Sequence, residues 1–293
     1  MNQPAHHHTA PTAAPARVGQ GTAVEQSRAA AEVQAAVVVA QQCPRNPAAS
    51  IAEMEQVCTQ QALAEKAFYS FRRAGSTITG PTVHLARELA RCWGNLQYGL
   101  VELRRDDEYG ESEMQAFAWD VQTNSRVSNT FIVPHRRDKK KGEGSEKLTE
   151  LRDIYENNTS NGSRRVREAI FSVLPGWFVD RAVQTCRATL NGGGGVPLPQ
   201  RVADAVKAFE GLGVTADRIE AKLGRTSAKW TEHDVTELGI LFGSITRREI
   251  SVEDAFPPPR VTAEEITGSE PPATGPGDVA WPEAVQPGAG GQP

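Results

Sequence analysis

Apolar positions recur at helical spacing from the N-terminal region to Trp93, switch to strict alternation, and then return to helical spacing. Residues 23–42, rich in Ala, Gln and Glu with Val33, Val37 and Val38 on one face, predict an amphipathic helix stopped by Pro44 and Pro47. A second helix is expected from Ser50 as N-cap, with Ile51, Met54, Val57, Cys58, Leu63, Ala67 and Phe71 as its stripe. Gly75 and the Gly80-Pro81 turn close it. A third helix is expected to open with Pro81 in its first turn and to bury Val83, Ala86, Leu89, Ala90 and Trp93.

After Gly94 the alternation predicts three strands, at Leu96–Leu103, Glu113–Val121 and Arg126–Val133. Phe117, Trp119 and Val121 share one face of the second strand, and Val127, Phe131 and Val133 one face of the third; these faces are expected to be the core side. The Thr123-Asn124-Ser125 turn makes the last two strands antiparallel. Pro134–Lys147 carries no apolar residue after the proline and is expected to be an exposed loop. A helix near Leu148–Glu156, a turn over Asn158–Gly162 and a helix capped by Ser163 follow, the last burying Val166, Ala169, Ile170, Val173 and Leu174. Another helix spans Trp177–Leu190.

The fold class expected is therefore α+β, a three-stranded antiparallel meander packed with helices. Gly192–Gly195 predicts a flexible linker within 191–198. Beyond it a small all-α module, 199–256, is expected, with Thr231 and Asp234 forming a capping box at its last long helix. Residues 1–22 and 257–293 are too poor in large apolar side chains to offset their ordering entropy, and both are expected to be disordered.

Net charge is −4, but unevenly spread. Residues 126–190 hold 13 Lys plus Arg against 8 Asp plus Glu, whereas 191–293 hold 9 against 15. A basic middle with an acidic end fits a polyanion-binding body. The sharpest feature is the run Arg136, Arg137, Lys139, Lys140 and Lys141, with Arg164, Arg165 and Arg167 on the helix expected to cover the same sheet. Such a run is often only a solvated loop; two basic elements flanking one sheet would instead make a groove that follows a phosphate backbone. Unpaired bases need surfaces to stack on, and Tyr109 at a polar hairpin tip is the best exposed candidate.

Other chemistries find less support. Cys43, Cys58, Cys92 and Cys186 never form paired metal-ligand or redox spacing, and His6–His8 is too short a tract for a structural metal site. The carboxylates of Asp106, Asp107, Glu108, Glu111 and Glu113 could serve a metal-dependent nuclease, but no lysine follows within the strand. No phosphate-binding loop, nucleophile elbow or zinc-protease motif occurs, so no enzyme activity and no cofactor is expected. No apolar run is long enough to span a membrane, and the chain is expected in the cytoplasm.

The order of helices, three strands and the segment NGSRRVREAIFSVLP at 161–175 resembles the phage single-strand annealing proteins of the Erf, Sak and RecT superfamily. The stretch GPTVHLARELARCWGNLQYGLVEL at 80–103 is similar to one that recurs in phage proteins of this kind. The resemblance implies a β-β-β-α core, a groove for single-stranded DNA, annealing without ATP in homologous recombination, assembly into homo-oligomeric rings or filaments, and a bacterial host cytoplasm. Carried over by position, it implies DNA contacts at Arg126, Arg136, Arg137, Lys139, Lys140, Lys141, Arg164, Arg165 and Arg167. It also implies that 199–256 contacts the host single-strand binding protein. A metal-dependent nuclease and a phage structural or scaffolding protein are the alternatives.

Overall fold

The computed structural model describes residues 20–73, 76–138 and 144–257. It is an α+β protein. Helix α1, Gln20–Gln42, is followed by α2, Pro47–Cys58. Pro47 opens α2 instead of blocking it, because a proline at the first helical position has no N–H to lose. Asn46 is the N-cap, its Oδ1 accepting from the N–H of Ala48 and Ala49, while Ser50, the expected cap, is buried inside the helix.

The helix expected to run on to Phe71 breaks up. After one turn, α3 at Gln61–Ala64, the chain forms a hairpin of β1, Phe68–Arg73, and β2, Ser76–Pro81. The aromatic and β-branched residues of these strands suit a pleated surface better than a helix, and the three-four spacing of Leu63, Ala67 and Phe71 is coincidental. Pro81 ends β2, and Thr82 caps α4, Val83–Trp93.

The predicted meander forms from β3, Leu96–Asp106, β4, Glu111–Asp120, and β5, Ser125–Pro134, in the order β3-β4-β5 and antiparallel throughout. The segment expected to be an irregular loop carries a short ribbon, β6, Arg136–Asp138, paired with β7, Ser145–Lys147.

One continuous helix, α5, spans Leu151–Val173 where a turn at Asn158–Gly162 was expected. Those residues look like a turn because they are polar or glycine, but Asn158 and Gly162 face the sheet. Asn158 Nδ2 donates to Ser112 Oγ at 2.9 Å, and a Cβ at Gly162 would lie 2.2 Å from Leu100 Cδ2. The polar and small side chains therefore serve close helix-to-sheet packing. Helix α6, Gly176–Gly192, ends on Gly193 in the left-handed conformation, φ 60°. Arg201 then ties the following turn to α6 through the carbonyls of Leu190 and Asn191, at 2.8 and 2.6 Å.

The remaining helices are α7, Leu198–Glu210, α8, Ala216–Leu223, α9, Glu232–Thr246, and α10, Val252–Ala255. The expected capping box is present at α9: Thr231 Oγ1 accepts from Asp234 N–H while Asp234 accepts from Thr231 N–H. Two apolar clusters result. One joins α2, α4, α5 and α6 to the inner face of the sheet; the other collects Phe209, Trp230, Leu238 and Phe256. Helix α9 serves both, since Ile240 belongs to the first cluster and Leu241 to the second. Its Ser244 Oγ accepts from Ser70 N–H at 2.8 Å, which ties it to β1.

Candidate nucleic-acid interface

A period-two pattern has two phases, and the side chains facing α5 decide which is buried. On β4 the buried set is Ser112, Met114, Ala116, Ala118 and Asp120; Phe117 and Trp119 lie half-buried on the opposite face. This reverses the expectation that Phe117 and Trp119 belong to the core. The reason is steric, because alanines let a helix approach the sheet closely and bulky rings do not. Phe131 does take the inner side, packed against the main cluster.

At the end near Trp119 the outer face is consequently aromatic and carries a cation, while Glu111 and Glu113 share that face at its other end. Arg126 on β5 stands directly opposite Trp119 on β4. Its guanidinium lies 5.8 Å from the Trp119 ring centroid and 6.0 Å from that of Phe117, within cation–π range. Trp119 Nε1 donates to Asn124 Oδ1 at 3.1 Å, which holds the indole in place. The Phe117 ring lies across Gly99 on β3, where a Cβ would come within 2.8 Å of it. Farther along the same face, Val101 and Ile132 are exposed. The result is two aromatic rings and one guanidinium presented on a rigid sheet, a surface suited to stacking unpaired bases.

The other basic residues do not join this surface. Helix α5 covers the inner face, and its three arginines project in three directions. Arg165 sits over Phe131 at 5.9 Å and pairs with Glu168 at 2.9 Å. Arg167 sits over Tyr69 at 5.0 Å. Arg164 is exposed and forms no ion pair among the described residues. Arg136 and Arg137 are exposed on β6, at the other end of the sheet from Arg126; the eight residues from Arg126 to Pro134 span about 27 Å at strand rise. Tyr109, 80% exposed in the β3–β4 turn, is at that same end, where His135 N–H donates to Gly110 O at 2.7 Å. Lys139, Lys140 and Lys141 lie outside the described residues.

Two carboxylates of the acidic turn are paired within it. Arg105 meets Asp107 at 2.7 Å, and Asp106 meets Arg104. The Tyr109 N–H, followed by Arg104, holds the Asp106 carboxyl below the usual carboxylate range. Among the described residues no three His, Cys, Asp or Glu gather as metal ligands, and no helix is long and apolar enough to cross a membrane.

No family model, curated protein or solved structure matches the chain. The site therefore stands on its own geometry. Phe117 and Trp119, which complete the outer face, were both assigned to the core from the sequence; the signal that could have placed them is the four-residue turn 121–124, whose closing pair Asp120–Ser125 sets Arg126 across from Trp119 and leaves Phe117 two residues away on the same face.

Proposed function

We propose that this protein binds single-stranded DNA on the outer face of β3, β4 and β5, and anneals complementary strands without ATP. The observation that carries the binding half is the Phe117–Trp119–Arg126 platform. Stacking of one base on an aromatic side chain contributes about 1–3 kcal/mol and tolerates any sequence, because every base has a π-face. Arg126 adds a charge for the adjacent phosphate. The exposed Arg136 and Arg137 add positive charge at the far end of the sheet and, with Lys139, Lys140 and Lys141 next in sequence, would make binding sensitive to salt.

Annealing is supported by the resemblance to the Erf, Sak and RecT superfamily together with the meander-and-helix order. On this reading β3, β4, β5 and α5 correspond to the β-β-β-α annealase core. The protein acts in phage-type recombination as a homo-oligomeric ring or filament in the host cytoplasm, and 199–256 contacts the host single-strand binding protein. The test is to mix complementary labelled oligonucleotides with the full chain in EDTA, without nucleotide. Faster duplex formation than in buffer supports the proposal. Unchanged annealing with intact single-strand binding removes the annealing half, and cleavage that requires added magnesium would favour the nuclease alternative.

A further inference from the structure

A second recess lies on the other side of the sheet. It is a cleft of about 280 Å³ between edge strand β3 and α5, with Arg87 of α4 also in its lining. Its floor is apolar, formed by Leu100, Met114 and Val166. Tyr98 and Tyr155 stand at its rim, both exposed, and Arg87 forms no ion pair among the described residues.

The polar wall is built around one hydroxyl. Ser112 Oγ, fully buried, is 2.9 Å from Asn158 Nδ2, 2.9 Å from His135 Nε2 and 3.1 Å from Glu102 Oε1. A hydroxyl has one proton and two lone pairs. Donating to the Glu102 carboxylate leaves it to accept from Asn158 and from His135, which then carries its proton on Nε2. The Ser112 hydroxyl is thereby saturated, but Asn158 is not. Asn158 is 3% exposed and lines the cleft, and its Oδ1 is buried with no hydrogen-bond partner among the described residues. Buried amide oxygens are almost always paired, so an unmet acceptor in a cleft wall marks a place for a donor. Glu102, also in the wall, is a second acceptor.

A ligand for this cleft needs a flat apolar body for the floor and tyrosines, an N–H donor at its inner edge, and a negative group for Arg87. The volume is at or below the lower end of ordinary small-ligand pockets, about 300 Å³, which favours a single ring system. We propose that the cleft holds one unpaired, amine-bearing nucleobase, its ring against Tyr98 and Tyr155, its exocyclic amine donating to Asn158 Oδ1 and Glu102, and its phosphate on Arg87. The base could come from a free nucleotide or from a strand bound by the protein; only the second source rests on the single-strand reading above.

Both sources can be followed with 2-aminopurine, whose emission falls on stacking: as the free deoxynucleotide, and as one base within a thymidine oligonucleotide. The full chain is compared with Tyr155→Ala and Arg87→Ala, rim changes that leave the packed core intact, and oligonucleotide binding is followed separately by anisotropy. The expected result is quenching of at least one probe by the unmodified chain, with its affinity weakened about tenfold by Tyr155→Ala. Quenching of the free nucleotide identifies that source; quenching confined to the oligonucleotide identifies the bound strand. If the oligonucleotide binds but no Tyr155-dependent quenching occurs with either probe, the cleft proposal is overturned and single-strand binding stands. Should the free nucleotide bind in a Tyr155-dependent manner while the oligonucleotide does not bind, the cleft stands and the single-strand reading falls. Failure of both probes to bind overturns both.

Discussion

Replacing Arg45 with alanine removes a buried cation on which three segments converge. Its Nη2 pairs with Asp120 at 2.9 Å, the two side chains being only 5% and 4% exposed. Its Nε donates to Trp93 O at 2.7 Å and its Nη2 to Gly94 O at 2.9 Å, so it also satisfies the end of α4, and it stacks on the Trp93 ring at 4.4 Å. Exposed pairs such as Arg91 with Glu53 contribute about 0–1 kcal/mol. The buried pair differs because truncating one partner strands the other charge, at a cost of about 3–5 kcal/mol. Asp120 would keep the N–H groups of Gln122 and Thr123, at 3.0 and 3.2 Å, which soften that cost. The expectation is therefore the lower end, about 3 kcal/mol, within a total stability of about 5–15 kcal/mol. Urea unfolding followed by circular dichroism, with the slope unchanged, measures it. Adding Asp120→Asn removes the stranded charge, so the double variant should be less destabilised than the sum of the singles by about 1–3 kcal/mol. A loss below about 1 kcal/mol, or strict additivity, would refute the reasoning.

Trp119→Ala and Phe117→Ala should each weaken single-strand binding by about 1–3 kcal/mol in an anisotropy titration; unchanged affinity in both would remove the stacking platform. Replacing Arg136, Arg137, Lys139, Lys140 and Lys141 with alanine should flatten the slope of log affinity against log salt by about 0.7 for each phosphate no longer neutralised, and an unchanged slope would exclude this ribbon from the interface. Burial pushes the Asp234 carboxyl up, but the N–H and hydroxyl of Thr231, with Arg225 and His233, bring it below the ordinary range. A depressed folded pKa stabilises above the unfolded value, about 3.9, and the contribution is lost as pH falls through the folded value. Asp234→Ala should thus cost about 0.5–2 kcal/mol at neutral pH, with the gap from the unmodified chain closing below about pH 4; a gap that stays constant in acid would count against it.

The meander was legible because alternation over Leu96–Val133 is long and its turns carry Gly, Asn and Asp. The capping box at Thr231 and Asp234 was legible because it is local. What failed depended on tertiary partners. Alternation around Phe117 and Trp119 could not reveal which phase would face α5, since hydrophobicity favours the rings whereas close packing favours Ala116 and Ala118. Asn158 and Gly162 look like a turn until Ser112 and Leu100 are seen against them. The β1–β2 hairpin was hidden by a chance three-four spacing. At the candidate site Arg126 was named only through the family resemblance, and its partners followed only from the register. The arginines of α5 were found by composition, and composition carries no direction.

Binding of single-stranded DNA on the outer sheet face is the proposal on which the annealing reading depends. It is tested by the salt-dependent affinity of a labelled oligonucleotide for the unmodified chain and for a Phe117→Ala, Trp119→Ala, Arg126→Ala variant whose urea unfolding is checked alongside. The expected result is salt-sensitive binding by the unmodified chain and a loss of about a hundredfold or more in the variant, with the folded structure retained. Equal affinity of the two folded proteins, or no binding by either, would contradict it.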